Sequence, residues 1–117
     1  AGYIKDGSVK AGADGLFLAS FIAPTLLINY LDGHPILDEN GKAPEFFTKP
    51  FKVDASNIDG YISIFGTDGV QPITDETLRN LCWRYNPDVT YQTYVDLVEN
   101  GLSLNALLKA HGLPEAG

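Results

Sequence analysis

The longest apolar stretch of the chain, residues 16–31, has the spacing of a helix and ends at Asp32-Gly33, a typical helix terminator. The residues predicted for its buried side are Phe17, Ile22, Leu26, Leu27 and Tyr30. Pro24 lies inside the stretch, where proline removes one helical hydrogen bond and clashes with the preceding turn. We therefore predict one helix from Leu16 to Leu31 with a kink at Pro24. The alternative is a helix that begins near Ala23 with Pro24 in its first turn.

Beyond Pro72 the pattern predicts three short helices in succession. Thr74, Thr90 and Ser103 can each cap a helix N-terminus, and apolar residues follow each of them at helical spacing. The residues predicted to face inward are Leu78, Leu81, Cys82 and Tyr85 in the first helix, Tyr91, Tyr94, Val95 and Val98 in the second, and Leu104, Leu107 and Leu108 in the third. Gly112 ends the third helix, where His111 is expected to act as a structural cap.

Extended segments are few and short. Phe51-Lys52-Val53 follows Pro50, places two apolar side chains on one face, and predicts a strand. Residues 8–13 form a second extended run, and residues 61–65 are rich in residues that favour strands. Residues 34–45 form a loop with strong turn residues. Together these segments predict an α/β protein with two or three short strands and a helical C-terminal part.

Composition limits the possible functions. The 117 residues are enough for one small domain with a core, and a net charge of −7 without a basic cluster disfavours a nucleic-acid partner. Cys82 is the single cysteine and is expected to be a buried thiol. The stretch Gly15–Leu31 is short and interrupted by polar residues, so we expect no transmembrane helix. No signal-peptide pattern is visible at the start of the chain.

Residues for catalysis are not arranged in a recognisable pattern. His34 and His111 lie in different segments, and neither has a patterned serine, cysteine or aspartate partner. The loop around Asp38 does not fit the calcium-binding template. We expect no enzyme, no cofactor and no metal site. A small hydrolase that uses Asp68 and Asp75 is the least favoured hypothesis.

Three stretches together resemble one protein family. Thr48–Asp59 has the pattern T-x-P-x-x-V-x-x-x-N-I-D, which is similar to the last crossing strand of the periplasmic type I sugar-binding proteins. Ile4–Ala11 resembles the helix end and following strand in the last third of those proteins. Leu27–Pro35 resembles the exit from their next helix. The resemblance covers roughly Ile4–Asp59.

The resemblance implies a solute-binding protein of an ABC transporter, or a receptor of similar build. Such proteins have two α/β lobes joined by three crossing strands, with a sugar bound in the cleft between the lobes. Residues 1–59 would be a strand-helix-strand segment that spans the hinge, and residues 60–117 a mainly helical C-terminal extension. The implied partners are a sugar, the missing N-terminal part of the same protein, an ABC permease and a possible second copy. The implied location is periplasmic or extracellular.

The resemblance also suggests ligand-binding residues. In the family, the turn after the first of these strands faces the cleft and more often has an amide followed by an apolar residue and proline. The matching residues here are Asp14 and Gly15. Two carboxylate oxygens can accept from neighbouring sugar hydroxyls, although Asp14 can alternatively cap the following helix. Phe17 and Trp83 are the aromatic candidates for packing on a sugar ring, and packing within the protein is the alternative for each. A non-catalytic structural or partner-binding domain is the alternative function.

Overall fold

The computed structural model describes residues 1–15, 17, 19–47 and 49–117, and in this part of the chain it has a mixed α/β fold. Leu16, Leu18 and Thr48 lie outside the described residues, and so do the predicted helix start at Leu16 and the first position of the Thr48–Asp59 motif. The elements in chain order are α1 (Gly2–Lys5), β1 (Ala11–Asp14), α2 (Ala19–Leu31), β2 (Phe51–Asp54), α3 (Ile58–Phe65), α4 (Asp75–Asn80), α5 (Tyr91–Asn100) and α6 (Leu104–Ala110).

The strands β1 and β2 form an antiparallel ribbon in which Ala11 lies opposite Asp54 and Asp14 lies opposite Phe51. The predicted strand at residues 51–53 is confirmed, and the extended run predicted at 8–13 overlaps β1. Val53 is buried on the inner face, whereas β1 is exposed until its last residue. Within the described part of the chain, no third strand pairs with either outer edge.

A close backbone contact joins the end of β1 to the start of β2. Gly15 has a φ of +152°, and a Cβ atom at this position would lie 2.9 Å from the Cα of Pro50. A larger residue would therefore push the two segments apart. Asp14 lies immediately before this contact.

The helix α2 is continuous through Pro24 and ends at Leu31, as predicted. The alternative of a helix that begins near Ala23 is wrong. The predicted buried side is wrong for Leu27 and Tyr30, which are 57% and 67% exposed. The buried side of the helix instead includes two polar residues, which find hydrogen-bond partners inside the protein; its buried residues are Phe21, Ile22, Thr25 and Asn29.

The strand predicted at residues 61–65 is wrong, because these residues form the second half of the helix α3. Asn57 directs the chain into this helix: its side chain accepts from the Asp54 N–H at 2.9 Å and donates to the Lys52 carbonyl at 2.9 Å. Ile58 and Ile64 are the buried residues of α3. Helical packing against the core has therefore overridden the preference of this segment for a strand.

The three predicted C-terminal helices are present with the predicted caps. The Thr74 and Ser103 hydroxyls accept from the N–H groups of Thr77 and Ala106, and the Thr90 N–H donates to the Thr93 hydroxyl. His111 caps α6, and its Nδ1 lies 2.8 Å from the Leu107 carbonyl. These local signals predicted the starts of the helices correctly, because capping depends on residues that are close in sequence.

The first of these helices is shorter than predicted. It ends at Asn80, where Asn86 donates its side-chain N–H to the Asn80 carbonyl at 2.9 Å. Leu81 and Cys82 are buried as expected, but Tyr85 is 62% exposed, so its predicted inward position is wrong. The chain turns after Asn80, and helical spacing therefore no longer applies to Tyr85.

One hydrophobic cluster joins α2 to the C-terminal helices. Its most buried members are Ile64, Leu81, Tyr94, Leu107 and Leu108. The ribbon contacts the rim of this cluster through Phe51, which is half-buried. None of the helices in the described ranges combines the length and the apolar character needed to cross a membrane.

Candidate functional site

Asp14 is held at the end of β1 by two hydrogen bonds. One carboxylate oxygen accepts from the N–H of Gly15 at 2.6 Å, and the other accepts from the hydroxyl of Tyr61 at 2.7 Å. Each carboxylate oxygen has two lone pairs, so each retains the capacity to accept one more hydrogen bond. Asp14 thus bonds the backbone N–H next to it and a tyrosine of α3.

Tyr61 is the fixed donor of this pair. Burial, followed by the hydrogen bond to Asp14 and the charge of that carboxylate, raises the pKa of Tyr61 to about 12. The phenol therefore stays protonated at neutral pH and continues to donate to Asp14. The Asp14–Tyr61 pair therefore places a hydrogen-bond acceptor, the Asp14 carboxylate, in a fixed orientation at the end of β1.

A small cavity of about 130 Å³ opens beside this pair. It lies between the ribbon and the helices α1 and α3, and its lining residues are Ala1, Ile4, Gly12, Ala13, Asp14, Val53, Ile58 and Tyr61. The small residues of β1 leave this space open. The walls are mostly apolar, with Asp14 and Tyr61 as the polar groups.

An aromatic cluster continues from Tyr61 away from the cavity. The Tyr61 and Phe65 rings stack with centroids 4.8 Å apart, and Phe17 approaches Phe65 at 5.3 Å. Phe51 of β2 contacts both α3 rings, with centroid distances of 6.4 Å to Tyr61 and 6.1 Å to Phe65. Phe17 is half-buried here, and it supports the site through Phe65.

Trp83 lies elsewhere. Its indole stacks on the His34 imidazole at a centroid distance of 3.6 Å, and its backbone N–H donates to the Asn29 side chain at 2.7 Å. Asn29 is ten residues beyond the start of α2 at Ala19, which corresponds to roughly 15 Å along the helix axis. The structure therefore brings Phe17 and Asp14 to one aromatic cluster and places Trp83 near the other end of α2. Trp83 lies beyond the end of α4 and is half-buried.

Sequence reasoning missed Tyr61 and Phe51 as site residues. Tyr61 and Phe65 are four residues apart. On a helix this spacing brings two side chains together, whereas on a strand it places them on the same face but further apart. A helical interpretation of Ile58–Phe65 would have predicted their stacking. The contact of both rings with Phe51 depends on the tertiary fold, and no local signal indicated it.

His111 and His34 both contact other groups of the protein. The ring nitrogens of His111 lie 2.8 Å and 2.6 Å from the backbone carbonyls of Leu107 and Gln71. His34 stacks on Trp83, next to the bidentate ion pair between Arg84 and Asp32. Asp68 and Asp75 are both exposed. No group of three or more His, Cys, Asp or Glu residues is placed to hold a metal ion in the portion of the chain that the structure describes.

Comparison of the chain with protein-family models, with curated proteins and with solved structures found no match.

Proposed function

We propose that this chain is the C-terminal portion of a sugar-binding receptor for ABC-type import, in which Asp14 contributes to one wall of the ligand cleft. The arrangement of Asp14 and Tyr61 is the observation that carries the proposal. The tyrosine orients a carboxylate that can still accept two hydrogen bonds, and the carboxylate borders an open cavity. Neighbouring hydroxyls of a sugar are suitable donors for such a group.

The size of the cavity supports a site that a second part of the receptor completes. Its volume of about 130 Å³ is below the roughly 300–1,000 Å³ that is typical of small-molecule pockets. The exposed strand β1 lies next to it, and within the described residues no strand pairs with the outer edges of the ribbon, which leaves them open to further chain. In a two-lobed receptor, the opposite lobe would supply the remaining wall and the remaining hydrogen-bond partners. A periplasmic or extracellular location and an ABC permease as partner belong to the same proposal.

Phe17 has an indirect role in this proposal. It packs on Phe65, which in turn stacks on Tyr61, and so it helps to hold the hydroxyl that orients Asp14. Trp83 is not part of the proposed wall, because it lies with His34 near the end of α2.

The test is thermal unfolding of the full-length gene product with a panel of monosaccharides. A ligand that binds the folded state raises the melting temperature, so at least one sugar is expected to do so. Asp14→Asn removes the charged acceptor and should abolish the increase. Asp59→Asn is the matched control, because Asp59 is an exposed aspartate whose ion pair is with Lys5. The absence of a response to any sugar would overturn the proposal.

A non-catalytic partner-binding domain is the second candidate, and one surface favours it. Leu27, Tyr30 and Leu31 form an exposed apolar patch on the outer side of α2, with exposures of 57%, 67% and 71%. Exposed apolar patches often mark contacts with another protein. Self-association of the chain that Tyr30→Asp disrupts, together with no response to sugars, would favour this candidate over the first.

A further inference from the structure

A second and larger groove lies between α4 and α5, and it shares no residue with the cavity beside Asp14. Its volume is about 800 Å³, which falls in the range of small-molecule sites. The residues that line it are Thr74, Glu76, Thr77, Arg79, Asn80, Tyr85, Thr93, Asp96, Leu97, Asn100, Gly101 and Ala110. Most of these side chains can form hydrogen bonds.

Several of the polar groups are available to a ligand. Within the described residues, the side chains of Glu76, Arg79 and Asn100 form no hydrogen bond and no ion pair with the rest of the chain. Asp96 uses one carboxylate oxygen, which accepts from Gln92 at 2.7 Å, and leaves the other free. Donors and acceptors are thus present together on both walls of the groove.

Tyr85 adds an aromatic surface to these polar groups. Tyr85 is 62% exposed, and the Arg79 guanidinium lies over its ring at 5.6 Å from the centroid. A cation over one face of the ring restricts the orientation of both side chains. The remaining exposed surface of the ring can pack against the apolar face of a pyranose.

The composition of the groove discriminates between classes of ligand. Two carboxylates, from Glu76 and Asp96, outnumber the single cation Arg79, and the chain has a net charge of −7, so an anion is disfavoured. Leu97 and Ala110 are the aliphatic side chains among the described lining residues, which gives few of the apolar anchors that a docked peptide needs. A neutral ligand that carries many hydroxyl groups fits the amides, carboxylates, guanidinium and ring together.

We propose that the groove between α4 and α5 is a binding site for a neutral oligosaccharide, with Tyr85 as the stacking platform and Asn100, Glu76 and Arg79 as hydrogen-bonding groups. This site goes beyond the proposed function, because it does not require Asp14 or a second lobe. It is a separate carbohydrate-binding site on the C-terminal helices.

The test is an NMR titration of the ¹⁵N-labelled chain with maltotriose and with N,N′-diacetylchitobiose. Saturable shifts are expected for the backbone amides of Thr77, Asn80, Asp96 and Asn100 with at least one of the two probes. Tyr85→Ala should weaken binding roughly three- to tenfold, as the loss of one aromatic contact predicts. Asn100→Ala should also weaken it. Tyr3→Ala is the matched control, because Tyr3 is also an exposed tyrosine and lies on α1, outside the groove.

Two results would overturn the proposal. The first is the absence of saturable shifts in the groove with both probes. The second is binding that neither Tyr85→Ala nor Asn100→Ala weakens. Shifts around Asp14 that Asp14→Asn abolishes, without shifts in the groove, would support the sugar cleft and overturn the groove site, so the two proposals fail separately.

Discussion

Asn29 connects α2 to the chain around Trp83 through a buried set of hydrogen bonds. Its side-chain N–H group donates to the Leu81 carbonyl at 2.8 Å, and its oxygen accepts from the Trp83 N–H at 2.7 Å. The Tyr94 hydroxyl lies 2.9 Å from the Thr25 hydroxyl and completes the network. Asn29 and Tyr94 are both 0% exposed, and buried polar groups of this kind stabilise a fold only when all of them have partners.

Asn29→Ala should therefore be strongly destabilising. The Trp83 N–H would lose its partner and the Leu81 carbonyl would keep only the Tyr94 hydroxyl as a donor, so the free energy of unfolding should fall by about 2 kcal/mol. Urea denaturation measures this as a lower midpoint at an unchanged slope. Asn40→Ala, in an exposed loop, is the control and should leave the midpoint almost unchanged. Equal midpoints for the two variants would show that the buried network does not contribute.

Asp54 makes stability depend on pH at the acidic end. The hydrogen bonds from Lys52 and from the Ser56 hydroxyl and N–H lower the pKa of Asp54 to about 2. A lowered pKa in the folded state gives stability that is complete above the unfolded value of 3.8 and is lost as the pH falls through about 2. The urea midpoint of the native chain should decrease over this window, and that of Asp54→Asn should decrease less. Asp88→Asn, at an exposed position, should follow the native chain; an identical profile for Asp54→Asn would contradict the assignment.

The helix α3 is the element for which local pattern and tertiary structure disagree most. Its residues 61–65 alternate as in a strand, but Asn57 directs the chain into a helix and Ile64 packs in the core. Gly60 lies where α3 meets α6 and the C-terminal residues, and a Cβ atom there would be 2.7 Å from the Cβ of Ala116 and 3.1 Å from a methyl group of Leu108. A glycine that weakens the helix locally thus allows close packing between elements.

Gly60→Ala tests which of these effects is larger. Alanine favours a helix over glycine by about 1 kcal/mol, whereas overpacking at a close contact costs about 1–3 kcal/mol. Because the neighbouring Ala116 Cβ belongs to a short side chain that cannot turn aside, we expect a net loss of stability. Gly2→Ala is the control in α1, where none of the described atoms lies within 4 Å of an added Cβ, and it should be neutral or stabilising. A melting temperature that rises for Gly60→Ala would contradict the packing argument.

The sequence predicted those parts of the molecule that depend on neighbouring residues. The caps at Thr74, Thr90 and Ser103, the end of α2 and the strand after Pro50 are local features, and the structure confirms them. The inward side of α2 and the helical structure of α3 depend on distant partners. Periodicity therefore gave wrong predictions for Leu27 and Tyr30, and residue preference gave a wrong prediction for residues 61–65. In the candidate site, the family resemblance predicted Asp14, whereas its hydrogen-bond partner Tyr61 was identified only in the structure.

The ribbon should be the least stable part of the molecule. Ala11, Gly12 and Ala13 are exposed, and the ribbon has two strands in the described part of the chain, an arrangement that is marginally stable in water by itself. The helix α6, in contrast, has three buried leucines. Hydrogen exchange of the chain should therefore be at least about tenfold faster for the amides of β1 than for those of α6, because local opening of the ribbon does not require the core to unfold. Equal protection of β1 and α6 would show that the ribbon is part of the cooperative core. The decisive comparison is between hydrogen exchange in this chain and in the full-length receptor of the proposed function. A second lobe that pairs with the outer strand edge would slow exchange in β1. Exchange in α6 would not change, because α6 is already packed within this chain.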